Sequence, residues 1–357
     1  MERPDVTRTA LAVVAVFAAH TFSILLTEPL SPARAARASV AMAAGTRDAA
    51  GAKVASSSRG RDRADRTREA TLQTTATTGR APDLTAYHGL GSWIDLFDKG
   101  PWKNPSGTVA RADDRSVRTI YLQTATYGSP RHIVYRRKVG EFIAAAHRRN
   151  MTVVGWSVPS FTQWRQDFRR AKAALLFETK AGERLDSFAL DIEAAIIRDI
   201  DTRNARLIKI SDRLRKVAGD DYTLGAIIPD THSTYWPRFP YRELARRYDV
   251  MVPMGYFTFR TRDYDGVRRY TTANIKVIRK KAGKQMPIHV IGGIADDVGV
   301  AAARGFVEAV EKHRVLGASL YDFPITSKKT WKQLSSVSDP RSVGRHGSRG
   351  TPAGRRP

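Results

Sequence analysis

The chain has 357 residues, 42% of them apolar, which suffices for one large core or two ordinary ones. It contains no cysteine, which excludes disulfides, thiolate zinc sites, cysteine nucleophiles and a lipid-modified cysteine. Its net charge of +25 favours anionic surroundings such as wall polymers or phospholipid head groups, but no nucleic-acid-binding motif accompanies it, so specific nucleic acid is not expected as a ligand.

Arg3 and Arg8 precede an apolar run from Thr9 to Leu26, and small-x-small sites follow at Ala33–Ala35 and Ala36–Ala38. This pattern over residues 1–30 predicts a signal peptide or an uncleaved signal anchor. The protein is then expected to be extracellular or anchored to the outer face of the cytoplasmic membrane. Residues 31–82 are rich in Ala, Arg, Ser and Thr and nearly devoid of large apolar side chains, the composition of a disordered spacer. Residues 338–357 have the same character and carry Arg341, Arg345, Arg349, Arg355 and Arg356. Both basic extensions are expected to favour an anionic wall polymer or membrane surface.

Between them, residues 83–337 alternate. Strand-like runs are Gly91–Phe97, Arg118–Gln123, Met151–Trp156, Ser187–Glu193, Tyr222–Ile228, Val250–Met254, Ile288–Gly292 and Gly317–Tyr321. Most are continuously apolar, as parallel strands covered on both faces require. Helical spacing runs over His132–Arg149, Trp164–Phe177, Thr202–Val217, Thr272–Lys281 and Ala301–His313, with Gly219 and Gly283 as C-caps. Eight strands alternating with helices over some 255 residues predict an α/β fold, a (β/α)8 TIM barrel with disordered N- and C-terminal extensions. A doubly wound open sheet competes, but no glycine-rich phosphate loop follows the first strand.

The most informative stretch is Asp186-Ser-Phe-Ala-Leu-Asp-Ile-Glu193. In a strand, residues i and i+2 share a face, so Asp191 and Glu193 project together. Two adjacent carboxylates cannot both ionise freely, so one pKa rises, which suits acid catalysis at neutral pH. Alone, the pair reads equally as a helix cap or a salt-bridge partner. The other strand ends decide. Asp95 and Asp98, Gln123 and Tyr127, Trp156 and Ser157, Asp230 and His232, Tyr256, Asp296 and Asp297, and Tyr321 and Asp322 all fall where a barrel keeps its chemistry. Acids with aromatic platforms are what a sugar site needs.

These residues carry a resemblance. Asp186-x-x-Ala189-x-Asp191-x-Glu193 resembles the fourth-strand signature Asp-x-x-Asp-x-Asp-x-Glu of family 18 chitinase-like glycoside hydrolases, and Met254-Gly-Tyr256-Phe257 resembles their Met-x-Tyr-Asp. The resemblance implies a polysaccharide-cleaving enzyme with Glu193 as general acid. Asp191 would orient an acetamido group or tune Glu193, and Tyr256 would stabilise the intermediate. Ala189 and Phe257 stand where the signature has acids, and Tyr321 where these enzymes have tryptophan. A second carboxylate is therefore sought in Asp322, Asp230 or Asp95. Asp95, Trp156, Asp230, Tyr321 and Asp322 are the expected substrate-binding residues. Trp164 and Trp236 are further candidate platforms. No metal and no cofactor is implied, and a monomer is expected. Two alternatives stand beside this reading: a glycan-binding barrel without activity, and a metal-dependent phosphodiesterase using Asp191, Glu193, Asp230 and His232.

Overall fold

A computed structural model of the protein describes residues 82–337. The leader, the spacer and the basic tail read from the sequence lie outside the described residues. Within them, every strand-like run forms a strand: β1 Gly89–Ile94, β2 Thr119–Thr126, β3 Thr152–Val158, β4 Ser187–Asp191, β5 Leu224–Ile228, β6 Val250–Pro253, β7 His289–Ile294 and β8 Gly317–Tyr321. They form one parallel sheet in the order β6-β5-β4-β3-β2-β1-β8-β7. Parallel bridges Met251–Ile288 and Met254–Ile291 link β6 to β7 and close the ring.

Helices α1 Lys99–Lys103, α2 Pro105–Asp113, α3 Arg136–His147, α4 Trp164–Leu175, α5 Ile200–Ala218, α6 Tyr241–Ala245, α7 Tyr264–Ala282, α8 Val300–Lys312 and α9 Lys328–Leu334 surround the ring. Four of the five helices read from apolar periodicity, α3, α4, α5 and α8, lie where expected to within about a turn, and α1, α2, α6 and α9 were not read from the sequence. The fifth, α7, begins eight residues before the predicted Thr272. Its first turns carry few apolar residues, and the signal lies instead in Asp263, whose carboxylate caps the helix by accepting from the Gly266 N–H at 2.7 Å.

The period-2 alternation of the strands sorts the interior into two cores. One lies between the sheet and the helices. The other fills the barrel with Trp93, Tyr121, Val154, Trp156, Ala189, Ile227, Val252, Met254 and Ile291. Trp93 stacks on Tyr121 at 4.2 Å between centroids and meets the edge of Trp156 at 5.6 Å. A 3-10 turn, Leu84–Tyr87, plugs the opposite end. Its Tyr87 ring lies over Gly225, where a Cβ would stand 2.3 Å from the hydroxyl. Below the tryptophans a polar layer closes on itself: Trp93 Nε1 donates to Ser319 Oγ at 2.8 Å, and His289 bonds Ser319 and the Tyr87 carbonyl. The lower barrel is thus filled by side chains, and a (β/α)8 barrel keeps its chemistry at the C-terminal mouth.

Lys and Arg number 43 between residues 82 and 337 against 27 Asp and Glu, so the barrel itself is strongly basic and the charge is not confined to the extensions.

Candidate active site

β4 ends at Asp191, and the chain stays extended just long enough for Glu193 to continue the inward-facing series Ser187, Ala189, Asp191. The Ile192 N–H still donates to the Ile227 carbonyl at 2.8 Å, which fixes this geometry. Beyond it, residues 194–199 form a loop rather than a helix. Arg203, buried on α5, holds that loop by donating to the Ile197 carbonyl at 2.7 Å and to the carbonyls of Ala195 and Tyr235. Its guanidinium lies 4.6 Å over the Trp236 ring.

Asp191 is buried, and Glu193 is half-buried. Burial pushes the Asp191 carboxyl well up, and the neighbouring Glu193 charge adds to it. Burial also raises Glu193. Asp191 Oδ1 is enclosed without a hydrogen-bond partner. Below it on the same face sits Ala189, beside Trp156 in the strand register, so no acid partner reaches Asp191 from within the strand. Three tyrosines feel the Glu193 charge: Tyr127 after β2, Tyr235 after β5 and Tyr256 after β6. Burial comes first in raising each of them, and the charges of Glu193 and, for Tyr235 and Tyr256, Asp191 follow. Tyr256 also feels Asp322, so the β4 acids and Asp322 act on the same hydroxyl.

Across the mouth, the end of β1 and the end of β8 build a second acidic group. The sequence suggested strand through Phe97, but β1 stops at Ile94. Asp95 Oδ1 accepts from the Phe97 N–H at 2.7 Å and Asp98 Oδ2 from the Asp95 N–H at 2.9 Å, so side chains take over the backbone donors and turn the chain. Phe97 is thrown outward, 62% exposed. Tyr321 donates to Asp95 Oδ2 at 2.6 Å, and Leu96 N–H donates to Gln123 Oε1 at 2.9 Å. Carboxylate oxygens of Asp95, Asp98 and Asp322 all lie within 4.8 Å of one another. Burial, with the charges of Asp322 and Asp95, pushes Asp98 up to about 9. Burial and Asp95 push Asp322 up to about 7. Asp95 is raised too, mainly by burial, against the opposing hydrogen bond from Tyr321.

The expected site residues thus divide. Asp191, Glu193 and Tyr256 meet on one side of the mouth, and Asp95, Tyr321 and Asp322 on the other. Trp156 is 3% exposed and belongs to the barrel floor. Asp230 is turned toward α7: it accepts from the Tyr270 hydroxyl and from the His232 N–H, and Arg260 lies 3.8 Å away. Burial pushes its carboxyl up, but these hydrogen bonds outweigh that and hold it below the usual range. Asp191, Glu193, Asp230 and His232 are not gathered into a ligand set; among the described residues the three-acid group above is the one close enough to hold an ion. Trp164 lies on the outer wall, where Arg165, Lys209 and Arg213 pack over its ring, and Trp236 is buried against Phe161. Phe257 is buried against Phe306. Asp98 was visible at the rim but without a role; Tyr235, in an irregular loop, carried no periodic signal.

No protein-family model matches the sequence, and no curated protein does. Solved structures do match in fold. A chitinase from Bacteroides thetaiotaomicron aligns over 74% of this chain and 99% of its own at 12% identity and a TM-score of 0.53. A family 18 N-acetylglucosaminidase from Paenibacillus barengoltzii aligns over 70% and 100% at 10% identity and 0.50, and an endo-β-1,4-mannanase from Thermotoga petrophila over 68% and 69% at 9% and 0.52. The fold shared with these structures is a (β/α)8 barrel. At such identities the likeness establishes architecture alone.

Proposed function

We propose that the protein is a glycoside hydrolase of an extracellular or cell-wall polysaccharide, exported by its N-terminal segment, with Glu193 as the proton donor. The observation that carries this is the Asp191–Glu193 pair. It lies at the C-terminal mouth of a barrel, with both carboxyls raised, and is ringed by the Tyr127, Tyr235 and Tyr256 side chains. A carboxylic acid that keeps its proton near neutral pH serves the glycosidic oxygen. Asp191, deeper and more enclosed, sets that proton affinity, and Tyr256 hydrogen-bonds charge developing at the sugar ring. Asp322 is the favoured second carboxylate, because it shares Tyr256 with the β4 pair, whereas Asp230 is engaged with Tyr270 and Arg260. Phe97 and Tyr127, exposed beside the mouth, are natural platforms for pyranose faces.

A second reading is a glycan-binding barrel without turnover. It is favoured by Ala189 and by the buried Phe257, each standing where the resemblance places an acid. Glu193→Gln separates the two. Loss of hydrolysis with glycan binding retained is the expected result; a wild-type protein that binds wall or storage glycans and cleaves none of them sinks the enzyme reading.

A further inference from the structure

The β1–β8 acids pose a charge problem that the proton donor does not use. Asp95, Asp98 and Asp322 are 4%, 7% and 1% exposed, and their oxygens lie within 4.8 Å of one another. Their donors are backbone N–H groups, among them those of Phe97, Asp95 and Ile325, and the hydroxyl of Tyr321. None of these carries a positive charge. Asp322 Oδ1 is enclosed and has no hydrogen-bond partner at all. Burial, one another and Asp296 after β7 raise these carboxyls, and what lowers them is the Tyr321 hydroxyl and neutral backbone N–H groups rather than a cation. This happens in a barrel with a surplus of 16 positive charges over residues 82–337.

We propose that Asp95, Asp98 and Asp322 receive a primary ammonium group of the sugar, so that the substrate class is a polysaccharide of free, non-acetylated amino sugars. This rests on the glycosidase reading and names its substrate. An ammonium nitrogen brings three donors and a full charge. Acceptors about 2.8 Å from it in tetrahedral directions stand about 4.6 Å apart, a spacing the three carboxylates accommodate. An acetamido group offers one N–H, no charge and a methyl that would have to enter a buried acidic cleft. An incoming ammonium also resolves the raised proton affinities: Asp98 and Asp322 ionise against it and release protons to solvent. Tyr256 feels the charges of Glu193, Asp191 and Asp322 alike, so the cluster and the donor act on one side chain at the same end of the barrel.

The test uses the full chain carrying Glu193→Gln, which blocks turnover. Hexamers of glucosamine and of galactosamine, each beside its N-acetylated counterpart, are titrated calorimetrically at pH 6 in chelator-treated buffer. The expected result is at least tenfold tighter binding of a free-amine hexamer, with proton release seen as a buffer-dependent heat, and less than twofold preference once Asp322→Asn or Asp98→Asn is added. Two variants are used so that a misfolded one does not decide the matter. Equal or tighter binding of the N-acetylated hexamers overturns the ammonium site and leaves the glycosidase reading standing. A preference that survives both substitutions overturns it as well. Binding of Mg²⁺, Ca²⁺ or Mn²⁺ alone that is lost in Asp322→Asn, without amine preference, assigns the cluster to a metal instead. If no hexamer binds and the wild type cleaves no glycan, both readings fall.

Discussion

The mouth of this barrel holds two acidic groups built in opposite ways. The β4 pair is local: Asp191 and Glu193 are two residues apart, and the strand period alone puts them on one face. The β1–β8 group is non-local: Asp95 and Asp98 meet Asp322 only because β1 pairs with β8 when the ring closes. The local pair leaves one member, Glu193, half-buried. The non-local group is buried, and its members differ in what binds them. Proximity of carboxylates is therefore not one feature but two, and the groups should respond differently to the same perturbations.

The largest contrast is in turnover. Glu193→Gln should lower hydrolysis by about 10²- to 10⁴-fold, the range for removing a general acid. Melting temperature should be essentially unchanged, since the side chain is half-buried and isosteric. Asp98→Asn should leave the proton donor in place and act through substrate affinity, raising KM more than it lowers kcat. Steady-state kinetics on the same glycan checks both, and a kcat collapse in Asp98→Asn with normal KM would erase the distinction.

Next comes the floor on which both groups rest. Trp93→Ala removes the ring stacked on Tyr121 and the indole donor to Ser319, and should cost about 3–5 kcal/mol by denaturant unfolding. A cost below about 1 kcal/mol would mean that the floor does not support the mouth.

The third contrast is in pH. Unfolded aspartates titrate near ~4. Folded Asp322 holds its proton to about 7 and Asp98 to about 9. Between those limits the folded state binds more protons than the unfolded one, so stability falls as pH rises. The ligand-free protein should melt progressively lower from pH 5 to pH 9. Asn at position 98 can donate to its acidic neighbours, so Asp98→Asn should flatten that slope and add about 1–3 kcal/mol at pH 8. An unchanged slope would show the group to be open to water.

How much of this was legible follows from the same contrast. All eight strands could be read because buried parallel strands write continuous apolar runs. The β4 pair could be read because its spacing is the strand period. The β1–β8 group could not, although Asp95, Asp98 and Asp322 each stood at a strand end, since no spacing in sequence encodes which ends meet. The end of β1 misled for a local reason: Phe97 extended the apolar run, while Asp95 and Asp98 were already diverting its backbone donors. Trp156 misled in another way. A tryptophan at a strand end reads as a platform, but it lies one inward layer below the mouth, and Asp230 was captured by Tyr270, which lies 40 residues further along the chain.

The smallest expected effect sharpens the comparison most. Phe97 is exposed because the Asp95–Asp98 turn expels it, so it belongs by geometry to the β1–β8 side, yet it contributes nothing to the buried group. Phe97→Ala should shift stability by no more than about 0.5 kcal/mol, as for a surface position. If the ring is a sugar platform, losing one stacking face should weaken binding by about 1 kcal/mol, or roughly fivefold. That loss should be the same for free-amine and N-acetylated oligomers, because a ring face reads the pyranose and not its nitrogen. The acids beneath it should do the reverse and discriminate by charge. Equal titrations of both oligomers with Phe97→Ala and with Asp322→Asn would therefore separate adhesion from recognition at a single rim. A Phe97→Ala loss confined to the free-amine oligomer would mean that the two functions are not divided in this way.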